Sequence, residues 1–60
     1  MFKAGELVFS RRGASPGVVV ETKRRYGVQY CKVLWTGEPQ AHWVSCEQLR
    51  EPYKYELKVS

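Results

Sequence analysis

The sequence predicts an all-β fold, a small five-stranded open barrel, and three observations lead to that prediction. The chain has 60 residues, which limits it to one domain, because so short a chain buries only about 60% of its unfolded surface. Short runs rich in Val, Tyr, Trp and Leu alternate with turn signals, as is typical of small β-sandwiches and barrels. No segment shows the apolar periodicity of a helix of useful length.

The first two predicted strands cover residues 6–10 and 17–23. Side chains of a strand alternate between its two faces. In the second strand the charged residues Glu21 and Lys23 share one face, which marks that face as the wetter one. We therefore expect Val18 and Val20 to point into the core.

The third, fourth and fifth predicted strands cover residues 28–35, 41–45 and 49–51. From the third strand we expect Cys31 and Val33 in the core, and from the fourth Val44. Ser45 followed three residues later by Gln48 resembles a capping box. This pair predicts one short 3₁₀ turn before the last barrel strand.

Pro52 marks a boundary near the C-terminus. Residues 1–52 are predicted to form the barrel, and residues 53–60 a C-terminal strand or tail. Between Tyr53 and Val59 apolar and charged residues alternate strictly, which is the pattern of a strand. Two alternatives stay open for this segment: an added strand at the barrel edge, or a tail ordered only by a partner.

Composition argues against a membrane protein and a secreted one. No apolar stretch approaches the roughly 20 residues that a membrane-spanning helix needs. The N-terminal residues lack the long apolar run of a signal peptide. We therefore expect a cytoplasmic protein without a membrane partner.

The reactive side chains do not form a catalytic pattern. Cys31 and Cys46 are expected to be reduced thiols, with a disulfide as the alternative. His42 is the only histidine, so it and the two cysteines leave the usual four-ligand zinc set incomplete. On a strand, His42 and Ser45 would point to different faces. We predict no enzyme, no catalytic residue, no metal site and no cofactor.

Positive charge is the first feature that points to a partner. The chain carries ten Lys and Arg against six acidic residues, a net charge of +4, which favours anionic partners. Basic residues cluster in one loop and one turn, and an aromatic residue follows the second cluster. The candidate nucleic-acid-binding residues are Arg11, Arg12, Lys23, Arg24, Arg25 and Tyr26.

Aromatic residues are the second such feature. The eight aromatic side chains exceed what a core of this size can hold, so some of them must be partly exposed. Aromatic residues and Arg are enriched at binding hot spots, and aromatic rings stack on unpaired bases. The candidate contact residues are Tyr30, Trp35 and Trp43.

The order of short motifs resembles a known class of small barrels. The motifs are Gly5-Glu6-Leu7-Val8, Pro16-Gly17-Val18-Val19, Lys32-Val33-Leu34-Trp35, Trp43-Val44 and Leu49. Over residues 4–51 this order is similar to SH3-like barrels of the KOW and Tudor-like kind, as found among short phage and bacterial proteins. The resemblance implies an SH3-like five-stranded open barrel that acts as a binding module, a fold that hosts many unrelated roles.

Three functional hypotheses follow from these features. The first is a module that contacts nucleic acid through a basic and aromatic surface. The second is a protein–protein interaction module, such as a phage-type accessory protein docking on a host or viral partner. The third is a peptide or methyl-lysine reader with a pocket of Tyr30, Trp35 and Trp43. Open barrels also expose edge strands, so the chain is expected to be a monomer or a weak homodimer.

Overall fold

A computed structural model describes residues 2–13 and 15–57, and most of them form one antiparallel sheet. The strands are β1 (Leu7–Ser10), β2 (Pro16–Arg25), β3 (Val28–Trp35), β4 (His42–Ser45) and β5 (Leu49–Arg50). A 3₁₀ turn covers Cys46–Gln48, and a short helix, α1, covers Lys54–Leu57. The predictions of an all-β fold with five strands and of a 3₁₀ turn before the last strand are confirmed.

The strand order is β4-β3-β2-β1-β5, so β4 and β5 occupy opposite edges of the sheet. Only the three-residue 3₁₀ turn separates these two strands in the chain. A chain spans at most about 3.6 Å per residue, so the two edges must lie near each other and the sheet must curl. In the part of the chain that the structure describes, β4 and β5 are not hydrogen-bonded to each other, so the curled sheet stays open.

The core occupies the concave side of the curled sheet. Its fully buried members are Val8, Val19, Cys31, Val33 and Leu49. Cys31 and Val33 are therefore core residues, as predicted, and Val44 packs against the cluster while remaining half-buried.

The prediction that Val18 and Val20 point inward is wrong. They are 42% and 45% exposed, whereas Val19 is fully buried and pairs with Val33. The register shifts at a β-bulge between Val19 and Glu21, and a bulge puts an extra residue into one strand. Glu21 lies on the outer face, as predicted. Because of the bulge, Val19 lies on the inner face, although a regular strand would put the two residues on the same face.

The C-terminal segment does not continue as a strand. Residues 54–57 form α1, so the strand alternative is wrong there, and residues 58–60 lie outside the described part. The two terminal guanidinium nitrogens of Arg50, Nη1 and Nη2, donate to the Glu56 carboxylate at 2.8 and 3.0 Å. The Arg50 guanidinium also lies 4.8 Å from the Phe9 ring centroid and 4.2 Å from that of Tyr53. Arg50 thereby links α1 to β1 and β5.

At Gly17 the backbone of β2 lies close to side chains of β3. A Cβ at this buried position would lie 2.6 Å from Val33 Cγ1 and 2.7 Å from Trp35 Cε3. Carbon atoms in non-bonded contact prefer about 3.5–4.0 Å. Any larger residue at position 17 would therefore displace core side chains.

We expect Gly17→Ala to lower the free energy of unfolding by about 1–3 kcal/mol, the usual cost of overpacking a core. Urea denaturation followed by circular dichroism measures this change. Gly13→Ala is the matched control, because nothing lies within 4 Å of a Cβ there. Equal stability of the two variants would contradict the close packing at Gly17.

We expect the Arg50–Glu56 contact to make stability depend on pH. The hydrogen bonds from Arg50 hold the pKa of Glu56 below its ordinary value of 4.5. A carboxyl whose folded-state pKa is lowered stabilises the fold above its unfolded pKa, and that contribution is lost as pH falls through the folded pKa. Wild type should therefore melt at a higher temperature than Glu56→Gln at pH 7, and the difference should shrink below about pH 4.5.

Glu51→Gln is the control for this pH profile, because Arg50 contacts the backbone carbonyl of Glu51 and not its side chain. A difference between wild type and Glu56→Gln that stays constant down to pH 3 would argue against the ion pair.

Candidate basic and aromatic cleft

The pairing of β2, β3 and β4 brings basic and aromatic side chains onto the outer face of the sheet. Glu21, Lys32 and Trp43 form one cross-strand row. Lys23, Tyr30 and Ser45 form the next row. Residues directly opposite in an antiparallel sheet lie on the same face. These two rows therefore form a single surface that none of the three strands could present alone.

A shallow cleft of about 380 Å³ lies on this surface and is called the basic–aromatic cleft below. Its lining residues are Lys23, Arg25, Tyr26, Tyr30, Trp43, Val44 and Ser45. The lining contains two cations and three aromatic rings and no acidic side chain. The cleft lining therefore combines positively charged groups with aromatic rings.

Lys23 and Trp43 contact each other across the cleft. The Lys23 Nζ lies 4.3 Å from the centroid of the Trp43 ring, within the range of a cation–π interaction. The two residues belong to β2 and β4, which flank β3. The ammonium group of Lys23 thus lies over the Trp43 ring on the outer face of the sheet.

The turn between β2 and β3 places a further ring at the cleft. Arg25 pairs with Val28, and the two residues between them, Tyr26 and Gly27, have φ of 51° and 78°. Positive φ at both positions is typical of the tight type I′ hairpin turn. This conformation is uncommon for an aromatic residue, and the Tyr26 side chain is fully exposed.

The structure brings together five of the nine residues proposed from the sequence. They are Lys23, Arg25, Tyr26, Tyr30 and Trp43. Arg24 pairs with Gln29, and strand alternation puts it on the opposite face from Lys23 and Arg25. Arg11 and Arg12 line a different groove, beside Glu47. The basic residues therefore do not form one continuous patch.

Trp35 lies on the inner face of the sheet. It pairs with the buried Gly17 and packs against the core. Tyr30 and Trp43 belong to the outer face, so the three rings do not enclose a common pocket. The aromatic pocket expected for a methyl-lysine reader is therefore not formed by these residues.

Val44 and Ser45 were not proposed as site residues from the sequence. Ser45 enters the cleft because it pairs with Tyr30, and that register depends on the connection between β3 and β4. Gly37 adopts φ of 88° in this connection, but the segment is too long to fix the pairing in the way a two-residue turn does. A reliable sequence signal for these two residues was therefore absent.

Other reactive groups lie outside the cleft or have local partners. His42 Nε2 lies 3.2 Å from the Glu38 carboxylate, and both side chains are exposed. Ser45 Oγ accepts a hydrogen bond from the backbone N–H of Glu47 and caps the 3₁₀ turn. Within residues 2–13 and 15–57, no three His, Cys, Asp or Glu side chains are grouped to hold a metal ion. No helix in this part is long and apolar enough to cross a membrane.

Comparison with known proteins does not assign a family. No protein-family model matches the chain, and no curated protein or solved structure is significantly similar to it. The function of the chain is therefore inferred from the geometry of the basic–aromatic cleft.

We expect Lys23 and Trp43 to be energetically coupled. In a double-mutant cycle with Lys23→Gln and Trp43→Leu, the coupling free energy should be about 0.5–1 kcal/mol, as for exposed cation–π pairs. Urea denaturation of the four proteins measures it. A parallel cycle with Lys3→Gln is the control, since the Lys3 side chain is exposed, and its coupling should be near zero. Equal coupling in both cycles would mean that Lys23 acts only through the net charge.

Proposed function

We propose that this protein is a non-enzymatic binding module that contacts nucleic acid, in single-stranded form, through the basic–aromatic cleft. The observation that supports this most directly is the set of Lys23, Arg25, Tyr30 and Trp43 on one sheet face, with no acid in the cleft lining. Proteins that bind single strands combine a positive groove along the backbone with aromatic rings on which bases stack.

We also propose that the curled sheet is an SH3-like open barrel. The five antiparallel strands and the 3₁₀ turn before β5 support this assignment. An outward cleft agrees with such a fold, because the small concave side is already filled by the core cluster.

In the proposed binding step, a base of the nucleic acid replaces the Lys23 ammonium group on the Trp43 ring. An exposed cation–π contact contributes about 0.5–1 kcal/mol, whereas a base stacked on an aromatic ring contributes about 1–3 kcal/mol. A base that displaces Lys23 from the ring is therefore favoured. The released ammonium group and the Arg25 guanidinium are then available to phosphate oxygens, which carry most of the affinity.

Single-stranded ligands are favoured over duplexes by the same geometry. Base faces in a duplex are stacked on one another and cannot reach Tyr30 or Trp43. A duplex would engage only the cations, Lys23 and Arg25. We therefore assign the aromatic part of the cleft to unpaired bases.

A protein-interaction module is the second candidate function, and one observation favours it. Val18, Val20 and Leu34 are 42%, 45% and 41% exposed on the outer face of β2 and β3. Val18 and Leu34 are direct cross-strand partners, so these side chains form an apolar strip. Contiguous exposed apolar surface is a common mark of protein interfaces.

Binding to a labelled single-stranded oligonucleotide, measured by fluorescence anisotropy at about 50 and 200 mM salt, tests the proposal. We expect Trp43→Leu to raise Kd by about 5- to 150-fold, the equivalent of one lost stacked base. The double variant Lys23→Gln/Arg25→Gln should weaken binding and reduce the salt slope by about 1.4, or 0.7 for each lost phosphate contact. A duplex of the same sequence should bind more weakly.

Arg11→Gln/Arg12→Gln is the matched control, because it removes the same charge at a different groove. It should weaken binding much less than the change in the cleft. Equal losses in the two double variants would indicate attraction by net charge alone. No binding of the wild-type protein at the lower salt concentration would refute the nucleic-acid proposal.

Val18→Thr/Leu34→Thr separates the two candidate functions. This variant leaves the cleft residues unchanged, so oligonucleotide binding should be retained. The comparison uses a protein partner that still binds the wild type after nuclease treatment and at high salt. If Val18→Thr/Leu34→Thr abolishes that binding, the interaction-module alternative is supported.

A further inference from the structure

The two cysteines lie side by side although 15 positions separate them in the chain. Cys31 belongs to β3, and Cys46 is the first residue of the 3₁₀ turn. Their sulfur atoms are 2.8 Å apart, and both are free thiols. A disulfide needs a separation of about 2.0 Å. The two thiols therefore need only a small further approach to form a bond.

The two thiols differ in their access to solvent. Cys31 is fully buried, whereas Cys46 is half-buried. Burial, followed by the hydrogen bond between the two sulfurs, raises the pKa of the Cys31 thiol to about 12. A small oxidant therefore meets the Cys46 sulfur first, while Cys31 keeps its proton at neutral pH.

We propose that Cys31 and Cys46 are a redox-active pair that forms an intramolecular disulfide by exchange with a low-molecular-weight disulfide. The Cys46 thiolate attacks one sulfur of that disulfide, breaks its S–S bond and releases one small thiolate. Cys31 then loses its proton as its sulfur attacks the Cys46 sulfur, which breaks the mixed disulfide and releases the second small thiolate. Two electrons pass to the small disulfide, and the two thiol protons end on the two released thiols.

The position of this bond gives it a structural consequence. The 3₁₀ turn joins the two edge strands, β4 and β5, and β3 is an inner strand that pairs with β2 and β4. A Cys31–Cys46 bond fixes the turn to β3 and so holds the sheet in its curled form. This inference does not depend on the proposed nucleic-acid function.

The reduced full-length protein, incubated anaerobically with oxidised glutathione, provides the test. We expect an intact mass that falls by two hydrogen atoms, with no glutathione adduct remaining, and a peptide map that joins Cys31 to Cys46. The oxidised protein should melt on the order of 10 °C above the reduced one, as expected for a crosslink over a loop of this length.

Single variants separate the two steps. Cys31→Ser should stop at one glutathione on Cys46, because the second sulfur is missing. Cys46→Ser should react at no more than about one tenth of the wild-type rate, because only the buried thiol remains. Cys31→Ala is the second variant at the buried position, and circular dichroism checks that each variant folds.

Two outcomes would overturn the proposal. One is a wild-type protein that keeps glutathione on Cys46 without proceeding to the internal bond. The other is a disulfide between two chains, seen as a dimer on a non-reducing gel at low protein concentration. Because the wild type alone produces either outcome, the test does not depend on how well the variants fold.

Discussion

The bulge in β2 is the constraint on which both the core and the cleft depend. Before it, Gly17 and Val19 face the core, and after it Lys23 and Arg25 face outward. All four are odd-numbered residues, so a regular strand would have put them on one face. The extra residue lets a single strand supply apolar side chains to the core at one end and cations to the cleft at the other.

A core this small also determines where a ligand can bind. The fully buried side chains fill the concave side of the sheet, and Trp35 packs against them. The Phe9 ring is covered by the guanidinium group of Arg50 from β5. Tyr30 and Trp43 remain on the outer face, beside the cations of β2. The proposed recognition surface is therefore a shallow cleft on the outer face of the sheet.

Strand alternation and capping chemistry predicted much of the fold from the sequence. The bounds of β3 were predicted correctly, and the Ser45 cap marked the 3₁₀ turn. Val18 and Val20 were wrongly predicted to face the core, because the sequence contains no residue that indicates the bulge between Val19 and Glu21. The helix α1 was not predicted because the sequence between Tyr53 and Val59 alternates as a strand does. The Arg50–Glu56 contact that holds α1 against the sheet is tertiary and is not visible in the sequence. In the candidate site, Lys23 and Arg25 were predicted from the cluster of basic residues in the sequence. The placement of Trp35 and Trp43 on opposite faces could be seen only from the strand register.

The strand order has a consequence for the order in which the chain assembles. β1 to β4 form a meander in which each strand pairs with its neighbour in sequence. Among the strands of the described residues, only β1 and β5 pair across distant segments. Local pairings lose less loop-closure entropy and form sooner. We therefore expect the β2–β3 hairpin, with its two-residue turn, to form first. We also expect the basic–aromatic cleft to form before Leu49, the last fully buried residue in the described part of the chain, packs into the core.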